Sequence, residues 1–179
     1  MTEGSQLRLW LMRGAFLLLT LAILFFQLLP LDTTPRSWAG PDLILAFAVA
    51  WSLRRPDYVP PLVLALAFLL ADLLLQRPPG LWALLALAGC ENLKSRARNL
   101  RDAGFGVEWF TVAVVLVMIT AAHRIVLLLA LIDVPRLSLT LSELGATLLF
   151  YPVAVGITRW PMGVRRAAPG DLDVLGQRA

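Results

Sequence analysis

The chain has 179 residues, of which 59% are hydrophobic and 16% are charged, and its mean hydropathy is +0.75. Soluble domains are usually about 45–50% apolar, so we expect much of this apolar surface to face lipid or other helices. The formal net charge is +4, but the basic residues are spread over several connections, which argues against a nucleic-acid-binding protein. The expected partner of this charge is the anionic inner leaflet of a membrane.

Six segments are apolar enough to enter a bilayer, and they predict one all-α integral membrane domain over residues 1–160. The first has 18 residues without a charge, close to the about 20 that cross the hydrocarbon core. In chain order the predicted segments are Gly14–Leu31, Leu43–Leu53, Tyr58–Gln76, Leu81–Cys90, Trp109–Ile132 and Leu141–Thr158. Residues 161–179 are polar and contain proline and glycine, which predicts a disordered cytoplasmic tail.

Segments two and four are short for a membrane crossing. The second reaches a sufficient length only if it starts near Trp38, where Gly40, Pro41 and Asp42 favour a helix start. If only one of the two were re-entrant, every later connection would change sides. If both were re-entrant, the chain would keep the same sidedness at its ends, and the sequence leaves this alternative open.

The distribution of basic residues predicts the orientation. If the amino terminus is cytoplasmic, 12 of the 16 Lys and Arg residues lie on the cytoplasmic side. They are Arg8, Arg13, Arg54, Arg55, Lys94, Arg96, Arg98, Arg101, Arg159, Arg165, Arg166 and Arg178. The opposite side holds only Arg36, Arg77 and Arg136, and Arg124 lies inside segment five. Because basic residues resist translocation, this asymmetry predicts six crossings with both termini inside.

The tryptophans agree with this map of segments. All six lie near predicted segment ends, where the indole ring is apolar and its N–H can meet water. Before segment six, Thr140 and Glu143 have the spacing of a capping box, which predicts that a helix begins there.

Two charged residues fall at membrane depth, where such groups are costly and often functional. Asp72 and Arg124 are the 15th and 16th residues of segments that both start at the inner face. At a rise of about 1.5 Å per residue their depths are similar, roughly 20 Å from that face, so we predict an Asp72–Arg124 ion pair. Such a pair is either a fixed clamp between helices or part of a polar pocket, switch or proton path.

No catalytic, cofactor or metal site is visible in the sequence. His123 is the sole histidine and Cys90 the sole cysteine, so neither a zinc cluster nor an internal disulfide is predicted. His123 has no acid at the spacing of a catalytic triad, and no glycine-rich phosphate loop is present. Asp42 and Glu143 are predicted helix-start residues that face outside and are available to a partner. This reading indicates a binding or structural protein rather than an enzyme.

Small residues recur four apart in segments two and three, at Ala46 with Ala50 and Ala67 with Ala71. Small side chains let helix backbones approach closely. The pattern predicts tight helix packing and is compatible with a homo-oligomer.

Two short elements resemble the MreD family of bacterial integral membrane proteins. Pro41–Leu45 followed by Trp51 is similar to the proline, acid, apolar run and aromatic of that family's second span. Leu70–Leu74, which contains Asp72, resembles the apolar-Asp-Leu element of its third span. The resemblance covers roughly Gly14 to Trp160. It implies a fold like that of the substrate-binding subunits of energy-coupling-factor transporters.

The resemblance also implies a non-enzymatic scaffold role in the cell-elongation (rod-shape) machinery of the bacterial inner membrane. The implied partners are MreC, a single-span protein with a periplasmic domain, and other proteins of the elongation complex that supports peptidoglycan synthesis. The outer connections Asp32–Gly40 and Asp133–Ser142 are expected to meet MreC. An inner basic loop with Lys94, Arg96, Arg98 and Arg101 is expected near anionic lipid or filaments, or serves topology alone. The alternative is a small-molecule transporter, or its binding subunit, with Asp72, His123 and Arg124 lining a cavity.

Overall fold

The computed structural model of this chain describes residues 3–29, 38–100 and 104–159, and within these ranges every regular element is a helix. The six α-helices are α1 (Glu3–Leu28), α2 (Leu43–Arg54), α3 (Pro61–Leu74), α4 (Leu81–Arg96), α5 (Phe105–Leu129) and α6 (Leu137–Arg159). One 3-10 turn, Pro56–Tyr58, joins α2 to α3. The all-α prediction is confirmed for the described part of the chain.

Three helices are long and apolar enough to cross a membrane, and this indicates a membrane protein. They are Gln6–Leu28 within α1, together with the whole of α5 and of α6. The other apolar helices are shorter: α2 has 12 residues and α3 has 14. At about 1.5 Å per residue, α2 is about 18 Å long, against about 30 Å of hydrocarbon in a typical bilayer.

The short helix α2 is the centre of the bundle. Every residue from Ile44 to Arg54 is buried, and α2 contacts α1, α4 and α6. A helix that is apolar on all sides is stable only when neighbours surround it. Ala46, Ala50, Ala67 and Ala71 are all buried in this core, so the predicted close packing of small residues occurs inside the chain.

The outer faces of the long helices are apolar and exposed. On α1, the side chains of Leu18, Phe25 and Phe26 are each more than 60% exposed. On α5, Phe110 and Met118 are exposed to a similar degree. Exposed aromatic and aliphatic side chains in such numbers are unfavourable in water and are suited to contact with lipid.

The helices alternate in direction, so the bundle has two ends. At the first, which we call the Arg54 end, the guanidinium of Arg54 at the end of α2 contacts Glu108 at the start of α5. At the second, the Arg77 end, Arg77 lies after α3 and contacts Asp42 before α2. Most of the connections predicted to be cytoplasmic therefore share the Arg54 end.

Several helix boundaries differ from those predicted: α1, for example, begins at Glu3 rather than Gly14, and α5 begins at Phe105 rather than Trp109. Helix α4 extends to Arg96, so Lys94 and Arg96 are helical rather than part of a loop. Helix α6 begins at Leu137, so the predicted capping box at Thr140 and Glu143 is wrong: both residues lie inside the helix. Their side chains instead bind Arg124 and Arg77.

Two of the six tryptophans are core residues. Trp51 is fully buried against Phe16 and Tyr58, and Trp82 is 8% exposed. Both lie near helix ends, as predicted, but their rings pack inside the protein rather than on its surface. Trp160, Arg101 and the predicted tail 161–179 lie outside the described residues.

Candidate binding site at the Arg77 end

Asp42 forms the start of α2, as its sequence predicted. Its Oδ1 accepts a hydrogen bond of 2.9 Å from the backbone N–H of Leu45, three residues into the helix. This is the usual N-cap geometry, which satisfies a backbone donor that has no partner within the helix. The N–H of Asp42 donates to Oγ1 of Thr147 in α6 at 2.9 Å, so the same residue also joins α2 to α6.

Asp72, near the end of α3, bonds the first turn of a different helix, α4. Gly80 occupies the N-cap position of α4 with a φ of +87°, and it has no side chain to bond the first turn. Oδ2 of Asp72 accepts from the backbone N–H groups of Gly80 at 3.0 Å and of Ala83 at 3.1 Å. A buried carboxylate at the positive end of a helix is in a favourable field. Asp72 thus ties α3 to α4.

Arg77 connects three helices through the turn between α3 and α4. Its Nη1 lies 3.6 Å from Oδ2 of Asp42, and its Nη2 lies 3.6 Å from Oε1 of Glu143 in α6. The guanidinium also stacks over the ring of Trp82 in α4, 5.3 Å from the ring centroid. Asp42 and Glu143, predicted separately as outer helix-start residues, are brought together by this one cation.

The predicted Asp72–Arg124 ion pair is wrong. Nη1 of Arg124 donates to the carbonyl oxygen of Pro135 at 2.9 Å and to Oγ1 of Thr140 at 2.8 Å. The depth estimate placed both charges at the same end of the bundle, and this is where they lie. However, the carboxylate of Asp72 is already bonded to α4, and the guanidinium of Arg124 is bonded to the connection between α5 and α6.

Trp82 and His123 contact each other edge to face between these two arginines. Their ring centroids are 5.1 Å apart, with an angle of 80° between the planes. Nε1 of Trp82 and Nε2 of His123 are both buried, and neither has a hydrogen-bond partner among the described residues. Buried polar atoms are nearly always bonded, and six in the described residues are not; what distinguishes these two is that both rings line a cavity with room for a partner.

A cavity of about 280 Å³ lies among these side chains. Its apolar lining includes Leu116, Leu127 and Leu144. Its polar lining consists of Asp42, Gln76, Arg77, Trp82, Thr120, His123, Arg124, Asp133, Thr140, Glu143 and Thr147. Small-molecule pockets typically measure about 300–1,000 Å³, so this one suits a small ligand or one chemical group of a larger ligand. The arrangement can hold and orient a polar group.

A second polar cluster lies at the Arg54 end and has no counterpart among the sequence-based predictions. Oε1 of Glu108, fully buried, accepts from Nη2 of Arg54 at 3.2 Å and from the hydroxyl of Tyr151 at 2.5 Å. The three residues join α2, α5 and α6. The sequence predicts only a topological role for Arg54. The signal for the cluster is an acid at the start of one apolar helix, Glu108, together with a basic residue at the end of another, Arg54.

The basic residues near the end of α4 have different environments. Nζ of Lys94 donates to the carbonyl oxygen of Val59 at 2.5 Å and to Oε1 of Glu91 at 2.7 Å, so Lys94 helps to pack α4 against the start of α3. Arg96 and Arg98 are exposed, and Arg101 lies outside the described residues. Only the exposed pair is placed to meet lipid or another protein.

No family model, curated protein or solved structure matches this chain. Within residues 3–29, 38–100 and 104–159, no group of three or more His, Cys, Asp or Glu side chains could hold a metal ion.

Proposed function

We propose that this chain is a non-enzymatic scaffold of the bacterial cell-elongation machinery that binds an MreC-like partner. The observation that supports this most is the position of the two elements that resemble MreD. Asp42 of the first is the N-cap of α2, Asp72 of the second lies in α3 and bonds the first turn of α4, and both lie at the Arg77 end. Each element therefore holds two helices of the same bundle together, and neither is an isolated surface motif.

In this proposal all six helices cross the bacterial inner membrane and both termini are cytoplasmic. The Arg54 end, which carries Arg13, Arg54, Arg96, Arg98 and Arg159, faces the cytoplasm and its anionic lipid. The short helix α2 is surrounded by other helices. The backbone beyond its ends can therefore lie at membrane depth without contacting lipid, so α2 needs fewer residues than a helix that faces lipid.

The partner is expected at the outer connections of the Arg77 end. Residues 32–37 of the first connection lie outside the described residues, whereas the connection between α5 and α6 is described throughout. There Leu131 is 94% exposed and has a φ of +54°, which is unusual for leucine. An exposed apolar side chain on a strained turn fits a protein contact better than a solvated loop.

The test is affinity purification of the tagged full chain from bacterial membranes in a mild detergent. We expect a single-span periplasmic protein to co-purify with the wild type. Leu131→Asp should reduce its recovery at least about tenfold if Leu131 lies in the core of the contact, because a charge would be buried there. Val107→Asp is the matched control, because Val107 is 53% exposed at the Arg54 end. Equal recovery with both variants, or absence of such a partner, would contradict the proposal.

The cavity at the Arg77 end favours a second candidate, a small-molecule transporter or its substrate-binding subunit. His123 and Arg124 line that cavity, as this alternative requires, whereas Asp72 is engaged at the start of α4. Co-purification of an ATPase module instead of a single-span protein would favour this candidate.

A further inference from the structure

The cavity at the Arg77 end is lined by hydrogen-bond donors that lack a complete set of acceptors among the described residues. The two arginines, the indole and the imidazole that line it converge from three parts of the framework: Trp82 from α4, His123 and Arg124 from α5, and Arg77 from the turn before α4. The hydrogen-bond partners that these side chains already have determine which kind of ligand the cavity can bind.

Arg124 provides a positive charge without a carboxylate partner among the described residues. Both of its hydrogen bonds are made by Nη1, and both acceptors, the Pro135 carbonyl and the Thr140 hydroxyl, are neutral. The N–H groups on Nη2 and Nε remain for another acceptor. A guanidinium presents such donors in a planar fork that matches two oxygens of a carboxylate or phosphate.

Trp82 provides a second donor that requires an acceptor. The residue is 8% exposed, it lines the cavity, and its indole nitrogen can only donate. The neighbouring Nε2 of His123 is also buried without a partner among the described residues, and it donates in one tautomer. Water could satisfy both atoms, but a ligand oxygen would satisfy them together with Arg124.

The acidic residues of the lining leave Arg124 available to a negatively charged ligand. Asp42 and Glu143 both face Arg77, which lies 3.6 Å from each. Asp133 also lines the cavity and is exposed. The lining thus has three carboxylates and two arginines, but the described ion pairs place two of the carboxylates against Arg77 and none against Arg124.

We propose that this cavity binds an oxyanion, the carboxylate or phosphate group of a small molecule or of a lipid headgroup. Arg124 and Trp82 donate hydrogen bonds to the oxygens, and His123 donates another in the tautomer that carries its proton on Nε2. Leu116 and Leu127 contact an apolar part of the same ligand. This inference deepens the second candidate function by naming its ligand class. It does not depend on the scaffold role, since a scaffold can also carry a bound lipid.

The proposal is tested by thermal unfolding of the purified full chain in an uncharged detergent. The probes are inorganic phosphate, sodium acetate and dioctanoyl-phosphatidylglycerol, each against sodium chloride at matched ionic strength, with dioctanoylglycerol as the lipid without a phosphate. A ligand that binds only the folded state raises Tm in a saturable manner. We expect at least one oxyanion probe to raise Tm by about 3 °C or more, as binding well above its Kd should.

Variants identify the site. Trp82→Phe keeps an aromatic ring but removes the N–H, and Arg124→Gln removes the charge; each should reduce the Tm shift by at least half. Trp51→Phe is the matched control, because Trp51 also has a buried indole nitrogen without a partner but does not line the cavity. Arg13→Gln, at the other end of the bundle, is the control for Arg124→Gln. Both controls should keep the full shift.

The outcomes separate the sources of the ligand group. A shift with phosphatidylglycerol alone assigns the cavity to a lipid headgroup, and a shift with phosphate or acetate assigns it to a free anion. No shift with any probe, or an equal shift in wild type and Trp82→Phe, would overturn the proposal. Trp82→Phe keeps the test decisive if Arg124→Gln fails to fold. Because the readout needs no partner protein, failure to recover an MreC-like protein leaves this result unaffected.

Discussion

At the residue scale, the role of Asp72 can be separated from the ion pair that its depth suggested. Asp72→Ala removes the acceptor for two backbone N–H groups at the start of α4. Loss of an N-cap acceptor costs about 0.5–2 kcal/mol, and we expect a loss of folding free energy near the upper end because the site is buried. Chemical unfolding in detergent measures it.

The double variant with Arg124→Leu distinguishes the two interpretations. If each residue has its own partners, as the structure shows, the effects of the two substitutions should add within about 0.5 kcal/mol. A direct ion pair would instead make the double variant more stable than the sum of the single changes predicts. A coupling energy above about 1 kcal/mol would contradict the capping role.

Glu108 is the residue at the Arg54 end whose loss should be most harmful. Glu108→Ala leaves the guanidinium of Arg54, 8% exposed, without the carboxylate that it contacts in α5. Removing one partner of a buried pair costs about 3–5 kcal/mol in soluble proteins. The control is Glu91→Ala, whose pair with Lys94 is more exposed and should be worth less than about 1 kcal/mol. If Glu108→Ala and Glu91→Ala had equal unfolding free energies, the contacts of Glu108 would not be a structural centre of the fold.

At the scale of elements, Gly89 determines how closely α4 approaches α5. A Cβ atom there would overlap Cδ1 of Ile119 and would lie 3.1 Å from its Cγ1 and 3.2 Å from Cγ1 of Val115. Gly89→Ala should therefore cost about 1–3 kcal/mol through overpacking.

Gly145 in α6 gives the opposite expectation. A Cβ atom at Gly145 meets nothing within 4 Å, so Gly145→Ala should stabilise the helix by about 0.5–1 kcal/mol. Thermal unfolding of both variants tests the difference in sign. A stabilising Gly89→Ala would show that α4 and α5 can separate at little cost.

The boundaries of these elements also show how far the sequence could predict the fold. Asp42 could be assigned to a helix start because capping is local and depends on residues a few positions apart. The Asp72–Arg124 pair could not be judged in the same way, because spacing along a helix gives depth but not the direction of a side chain around the axis. The same limit hid Glu108 with Tyr151, and the contact between Arg77 and its two acids, because each joins separate helices.

At the scale of the whole molecule, cysteine accessibility tests the proposed orientation. Cys90 is fully buried, so it should not react and can remain in place. Ser95→Cys introduces a thiol at the Arg54 end and Leu131→Cys introduces one at the Arg77 end, at residues that are both exposed. In intact cells that produce the chain in excess over its partner and whose outer membrane is permeabilised, a membrane-impermeant maleimide should label Leu131→Cys and not Ser95→Cys.

Labelling of Ser95→Cys should appear only after the inner membrane is opened. The reverse pattern would place the Arg54 end outside and would remove the proposed partner surface. Labelling of both variants in intact cells would mean that the short helices do not separate the two ends.

The contacts of Asp42 also have a consequence for the order of assembly during synthesis. The start of α2 is bonded to Thr147 and, through Arg77, to Glu143, and both belong to α6, which is synthesised after the other described helices. The central helix therefore lacks these contacts until α6 has inserted. A chain that ends after residue 136 should be cut by protease near residues 38–42 faster than the full-length chain, and equal cutting rates would show that α2 is completed without α6.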